Sequence, residues 1–247
     1  MEDTRPWYEQ AFGPEYLRLY QHRSPAQGRQ QVAQMLTAGL LPRSGRVLDL
    51  CCGAGRHLLP MREAGLAAVG LDLSLPLLGA GGLGGVAVRG NALRLPFAGD
   101  TFACVTNLFS SFGYFDSDAA QAAVLSEIRR VLQPCGRLVL DVPNAGPTVA
   151  ALVPESREER DGLRLVQRRQ FDAATGRITK HVEYQSEGLP ARRWHESLRV
   201  YAPAELDALL AAAGLKTRAR HGDLDGSAFE LSTSLRQVVV AERPDSA

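Results

Sequence analysis

The stretch Val47–His57, VLDLCCGAGRH, sets an apolar run and an aspartate ahead of two adjacent cysteines and a Gly-x-Gly pair. A buried strand, such a turn and then a helix let a ligand approach the backbone closely, because glycine has no Cβ. Three ligands compete for the turn: a metal or redox centre, a diphosphate, or a group presenting a cation. Neighbouring residues on an extended segment point to opposite sides, so Cys51 and Cys52 cannot easily share one ion, and no CxxC or HxxxH partner follows. Dinucleotide sites usually carry a third small residue, whereas Gly53 and Gly55 are followed by Leu58. Asp49 at the strand end repels a diphosphate and suits an ammonium.

Working outward, short apolar strands alternate with helices from Arg46 to Val142: RVLDL, AAVGLDL, VAVRG, FACVTNLF and RLVLDV, separated by HLLPMREAG, a short helix near Leu75 and the long DAAQAAVLSEIRRVLQ. This order predicts βαβ units and a mostly parallel sheet covered on both faces. Upstream, two helices are expected, about Trp7–Gln21 and about Pro25–Leu40. Past Pro143 the pattern becomes three alternating strands, LRLVQRRQF, RITKHVEYQS and RRWHESLRVY, the first two flanking DAATG, which predicts an antiparallel insert. The helix PAELDALLAAAG, opened by Pro203 and closed by Gly214, returns the chain to the α/β series with strands near Leu215–His221 and at LRQVVVAE. The expected organisation is one domain over 1–247: an N-terminal helical lid (1–42), a core (43–145), the antiparallel insert (160–201), and a C-terminal helix and strands completing the sheet (202–243).

The chain's 247 residues, 45% of them apolar, suffice for a packed core. A net charge of +1 lacks the basic excess that phosphate-backbone binding demands. No secretory signal is legible at the N-terminus, and the uncharged run Leu73–Val88 is broken by Pro76 and five glycines, so a cytoplasmic protein is expected. Four cysteines in such a chain read as small buried thiols rather than a disulfide framework or a metal centre.

Further strand ends refine the ligand. Asp72, about twenty residues after the glycines, stands where a carboxylate accepts both hydroxyls of a ribose. Asn91 follows the third strand and offers a donor and an acceptor, as an adenine edge does. The fourth strand ends in TNLFSSFGYF, whose aromatics suit a desolvated pocket. Adenine, ribose and a cation together suggest S-adenosylmethionine.

VLDLCCGAGRH, GLDLS, GNALRLPF, FACVTNLFSSFGYF and RRVLQPCGRLVLDVPN, in this order and spacing, resemble the sheet-end motifs of the class I, Rossmann-like S-adenosylmethionine-dependent methyltransferases. The resemblance covers Arg46–Asn144 most closely. WYEQAFGPEYLRLY and SLRVYAPAELDALLAAAGL look like the lid helix and the later strand and helix of bacterial small-molecule members, such as amino-sugar and glycine N-methyltransferases. The resemblance implies a seven-stranded, mostly parallel sheet with helices on both faces, an N-terminal helical lid and an antiparallel β insert. It implies that Asp49 and the backbone of Leu50, Cys51, Gly53 and Gly55 hold the methionine part, that Asp72 with Leu73 holds the ribose, and that Asn91 with Ala92 faces the adenine. Asn107 with Leu108 then lines the floor under the sulfonium. Tyr8, Tyr16 and Tyr20 are candidates to close over the methionine end, with plain helix packing as the alternative for each. The family often has glycine where Cys51 stands, aspartate where Asn91 stands, and Pro-Gly-Gly at the turn holding Cys135. A cysteine is tolerable at 51 if its backbone stays extended.

Methyl transfer is an in-line displacement that proximity and desolvation accelerate. Tyr114, after strand four, is the first candidate to touch the acceptor, with Phe115 beside it. On RRWHESLRVY, alternation puts Arg193, His195, Ser197, Arg199 and Tyr201 on one face, predicted to roof the pocket. His195 is the candidate base, and Arg199 and Tyr201 are candidate substrate contacts. His57 is expected to start a helix, and Asp223 and Asp225 to form a turn. The expected activity is methyl transfer to nitrogen, or else oxygen, of a small metabolite, by a monomer or homodimer without metal or membrane. The alternatives are an RNA or protein methyltransferase, a non-catalytic cofactor-binding regulator and, more distantly, a nicotinamide-dependent reductase.

Overall fold

The computed structural model describes residues 6–19, 24–160, 162–186 and 190–245. Its main sheet uses β1 (Arg46–Leu50), β2 (Ala67–Asp72), β3 (Ala87–Arg89), β4 (Phe102–Asn107), β5 (Leu132–Pro143), β10 (Lys216–His221) and β11 (Arg236–Glu242). Seven strands lie in the order β10-β11-β5-β4-β1-β2-β3. β3, β2, β1, β4 and β5 pair in parallel, while β11 runs antiparallel to both β5 and β10. The reversal of strand order beside β1 opens a crevice at the carboxyl ends of β1 and β4, where open α/β sheets bind ligands.

Strand periodicity divides the core in two. Leu48, Leu50, Val105 and Leu140 pack against α6 (Asp118–Val131) and α8 (Pro203–Ala212) through Leu125, Ile128, Leu206 and Leu210. Val47, Cys104, Val139 and Val238 face the other way, onto α3 (Pro25–Thr37), α4 (Leu58–Glu63) and α5 (Leu75–Ala80) through Met35, Met61 and Leu78. Each long helix starts where a side chain can satisfy its free amides: Ser24 caps α3 and Ser117 caps α6, each Oγ accepting from the third residue on. Cys52 joins the second core and Cys51 packs against the first, so the two thiols do diverge.

Three expectations need correction. The helix expected over Trp7–Gln21 is two, α1 (Trp7–Ala11) and α2 (Pro14–Leu19), because the Gly13-Pro14 pair interrupts it. The second N-terminal helix is no lid: Val32 and Met35 of α3 are buried in the main core, and only α1 and α2 overlie the crevice. The insert is a separate sheet of four strands, not three, in the order β6-β7-β8-β9, with β6 (Glu155–Arg160) ahead of β7 (Leu163–Asp172), β8 (Arg177–Ser186) and β9 (Arg192–Arg199). It therefore begins at Glu155. Its apolar face, Leu165, Val182, Tyr184 and Trp194, covers Tyr16 and Leu19 of α2. A short α7 (Ala145–Ala150) leads into it. Among the described residues no helix is long and apolar enough to cross a membrane.

Candidate active site

A cavity of about 420 Å³ sits at the carboxyl ends of β1, β2 and β4, beneath α1 and α2. Its floor begins with Asp49, which is buried. Asp49 pairs in register with Thr106 of β4, whose hydroxyl donates to Oδ1 at 3.0 Å. Oδ2 has no partner. Burial pushes the Asp49 carboxyl up to about 7, against the pull of the Thr106 hydrogen bond, and the nearby Asp72 charge adds to the rise. An unpartnered buried carboxylate oxygen calls for a cationic donor. Beside it, Asn107 donates from Nδ2 to the Leu50 carbonyl at 3.2 Å and leaves Oδ1 buried without a partner. This floor attracts positive charge and repels a diphosphate.

Asp72, at the end of β2, ties the glycine turn to the next helix. Its Oδ2 accepts from the Gly53 amide at 2.8 Å and its Oδ1 from the Ser74 amide at 2.8 Å. Burial raises its pKa, and these amides, together with that of Leu73, oppose the rise. Ser74 also donates from Oγ to the Phe12 carbonyl at 2.6 Å, joining the N-terminal roof to the end of β2. Asn91 accepts at Oδ1 from the Leu93 amide at 2.9 Å, which orients its Nδ2 as the remaining side-chain polar group.

Cys51 contradicts the expected extended backbone: its φ is +61°, in the left-handed region. Glycine suits that region at little cost, whereas a side chain there is strained by about 1 kcal/mol or more. Cys135 has the same property, with φ +58°. Strain also gathers after β4, where Phe109 and Ser110 both have φ +62°. Buried Asp141 of β5 holds that turn, its Oδ2 accepting from the Phe109 amide at 3.0 Å and its Oδ1 lying 3.2 Å from Arg236 Nε. His57 lines the cavity but is no base: burial, then Arg56 and Arg236, lower its pKa to about 3. It precedes α4 without capping it, and its Nε2 lies 2.9 Å from Gln31 Oε1. Asp223 and Asp225 do form a turn, accepting from the amides of Leu224 and Ser227.

The structure brings Asp49, Cys51, Gly53, Asp72, Leu73, Asn91, Ala92, Asn107, Leu108, Tyr114 and Phe115 to this one cavity. Leu50 and Gly55 lie outside its lining, Leu50 wholly in the core and Gly55 against Leu83 and Leu59, where a Cβ would come within 2.6 Å of the Leu83 side chain. Tyr20 lies outside the described residues. Three further candidates are corrected. His195 is exposed on β9 in a separate cleft with His181 and Arg193, its ring 6.4 Å from that of Trp7. Arg199 pairs with Glu205 at 2.5 Å and stacks on Tyr201 at 4.6 Å. Tyr201 is buried and donates to Asp118 Oδ1 at 3.0 Å. The expected polar roof fails because the face it uses is not the one turned to α2. Aromatic rings of the N-terminal helices form the roof instead: Trp7 meets Tyr114 edge-on at 4.9 Å, Phe12 meets it at 5.5 Å, and Tyr8 meets Phe115 at 5.5 Å.

Sequence reading missed Thr106, Ser74, Gln121 and Arg177. Thr106 was within reach, since parallel register sets it beside Asp49. Gln121, one turn into α6, accepts from the Gly113 amide at 3.2 Å and donates to the Phe115 carbonyl at 3.1 Å. No local pattern marks such a contact.

The sheet order and the glycine turn are those of an open α/β fold that takes its ligand in the crevice at the carboxyl ends of the strands. Residues 47–136 match the family model described as a methyltransferase domain, and that segment belongs to it. A demethylmenaquinone methyltransferase of Corynebacterium kroppenstedtii is 40% identical over 101 residues, a stretch covering 40% of this chain and 42% of that one. The CcbJ methyltransferase from Streptomyces caelestis superposes with a TM-score of 0.74 at 26% identity, covering 89% of this chain and 90% of its own. CalS10, an amino pentose methyltransferase from Micromonospora echinaspora solved with S-adenosylmethionine bound, gives a TM-score of 0.67 at 21% identity, with 98% and 99% covered. The orphaned Oδ2 of Asp49 is of a kind that an ammonium, such as that of the S-adenosylmethionine bound in CalS10, would satisfy.

Proposed function

We propose that the protein transfers a methyl group from S-adenosylmethionine to the nitrogen of a small-molecule amine. In this reading Asp49 and the backbone of Cys51 and Gly53 hold the methionine part, Asp72 the ribose, and Asn91 with Ala92 the adenine. Asn107 and Leu108 lie under the sulfonium. The cofactor supplies an electrophilic methyl and a neutral thioether leaving group. Tyr114 and Phe115 meet the acceptor.

The observation that carries the choice of nitrogen is the pairing of aromatic rings with carboxylates around Tyr8. Tyr8, Phe12, Tyr16, Tyr114 and Phe115 line the cavity together with Glu9. Burial, then the charges of Glu9 and Asp116, raise the Tyr8 phenol, and of these two carboxylates Glu9 lines the cavity. Ring faces and carboxylates together favour a cation such as a protonated amine. The fold's likeness to an amino pentose methyltransferase agrees with that chemistry.

The demethylmenaquinone methyltransferases favour a second reading, a neutral quinol ring, for which the aromatic wall also serves but the carboxylates do not. Methyl-tritiated cofactor, offered with a panel of amino sugars and with a demethylated naphthoquinol, separates the two. Label entering an amine supports nitrogen transfer. Label entering only the quinol overturns it.

A further inference from the structure

Arg177 opens β8, 62 residues after Phe115, yet its guanidinium reaches the loop that follows β4. Nη1 donates to the Phe115 carbonyl at 3.0 Å. Nη2 donates to the carbonyls of Gly113 at 3.1 Å, Tyr114 at 3.4 Å and Ser197 at 3.2 Å, and Nε to the Ser197 hydroxyl at 2.8 Å. Among the described residues no carboxylate shares this guanidinium at hydrogen-bond range, and Asp116 and Asp118 act on it only through longer-range attraction. A half-buried cation is thus spent on carbonyl dipoles of three consecutive residues. Backbone of the insert comes equally close: the Arg199 amide donates to the Gly113 carbonyl at 2.9 Å. A Cβ on Gly113 would stand 2.5 Å from the Arg199 carbonyl oxygen.

These contacts join two parts of the molecule that the cofactor does not join. Gln121 grips the Gly113–Phe115 loop from the sheet side, and Arg177 grips it from the insert. Tyr114 then reaches across to Trp7 and Phe12 of the roof. From the insert, the guanidinium fork bonds the Tyr114 and Phe115 carbonyls, and both residues line the cavity. Lysine keeps the charge but has no planar fork with which to meet carbonyls on two nitrogens at once.

We infer that Arg177 is a positioning residue for methyl transfer, setting the Gly113–Phe115 loop so that Tyr114 and Phe115 hold the acceptor in line with the methyl group. The inference rests on the proposed function in placing the acceptor at Tyr114 and Phe115. Misplacing an acceptor by ~1 Å costs on the order of 100-fold in rate, so the loop's setting bears directly on turnover.

The full chain is compared as wild type, Arg177→Met, Arg177→Lys and Arg164→Met, the last a control on the exposed side of the same sheet. S-adenosylhomocysteine affinity is measured by calorimetry, amide exchange is followed across residues 112–116, and methyl transfer is measured with the amino sugar that takes up label best. For Arg177→Met we expect cofactor affinity within about twofold of wild type, faster exchange at 113–116, and kcat lower by roughly tenfold or more, with Arg177→Lys between the two. Arg164→Met matches wild type throughout. The inference is overturned if Arg177→Met keeps wild-type kcat and exchange, or loses cofactor affinity as steeply as turnover. If Arg177→Met does not fold, Arg177→Lys decides, and wild-type kcat with wild-type exchange in that variant overturns it. A wild type that labels no amine fails the proposed function instead, and the exchange data then decide on Arg177 alone.

Discussion

Asp49 and Thr106 stand side by side on adjoining parallel strands, and the threonine hydroxyl satisfies one carboxyl oxygen while the other has no partner. Among the described residues that leaves one buried carboxylate oxygen for the proposed ammonium to satisfy.

The pH dependence follows. The folded-state pKa of Asp49 is raised to about 7, above its ordinary value, so its contribution to stability is full below that ordinary value and is lost as pH rises through about 7. A shift of about three units corresponds to something on the order of 4 kcal/mol. The thermal midpoint of the ligand-free protein falls between about pH 4 and about pH 7, and Asp49→Asn removes most of that slope. S-adenosylhomocysteine binding shows the opposite trend, tightening as Asp49 ionises and weakening again at alkaline pH, where the ligand's α-ammonium loses its proton. Calorimetry across both ranges checks both limbs, and a flat profile in the wild type rules out an Asp49–ammonium contact.

Asp72→Ala removes the proposed ribose acceptor and also the anchor of the Gly53 and Ser74 amides. Cofactor affinity should fall by about 1–3 kcal/mol, the cost of leaving such polar groups unpaired. Titration calorimetry reads this directly. Unchanged affinity removes Asp72 from the site.

Cys51→Gly relieves a left-handed backbone. The strain removed is about 1–2 kcal/mol and the entropy lost about 0.5–1 kcal/mol, for a net gain of about 0–1.5 kcal/mol. A rise of about 2 °C in thermal midpoint is expected for a chain of this size. A drop shows instead that the Cys51 side chain contributes more by packing than its backbone costs.

Tyr114→Phe keeps the ring that meets Trp7 and Phe12 and removes only the hydroxyl. Cofactor affinity stays within about twofold while turnover changes, a split expected of a group that acts after binding. Steady-state rates with a labelled acceptor check it, and unchanged turnover excludes a role for the hydroxyl.

Much of the cofactor half was legible because its signals are local. An apolar strand, a glycine turn and a strand-end carboxylate each reveal their role within a few residues, and Asp49, Asp72, Asn91 and Asn107 indeed meet at one cavity. The roof was not legible in the same way. Alternation on β9 separates two faces but says nothing of which one turns to α2, so His195 was placed in the pocket although it lies in another cleft. The Glu155–Arg160 strand hid behind its charges, since an alternating apolar pattern is the usual mark of a strand. Cys51 concealed its left-handed backbone behind a side chain that rarely adopts one. Arg177 had no sequence signal, because its partners are carbonyls and every residue carries one.

One consequence concerns crowding rather than catalysis. The Glu155–Arg160 strand forms the outer border of the insert, and five of its six residues are ionic. A border strand offers unused amides and carbonyls to any passing extended chain, and dense mixed charge is a common deterrent to such recruitment. Neutralising that border, for instance by replacing its glutamates with threonine, would turn a repellent rim into a template for filament growth.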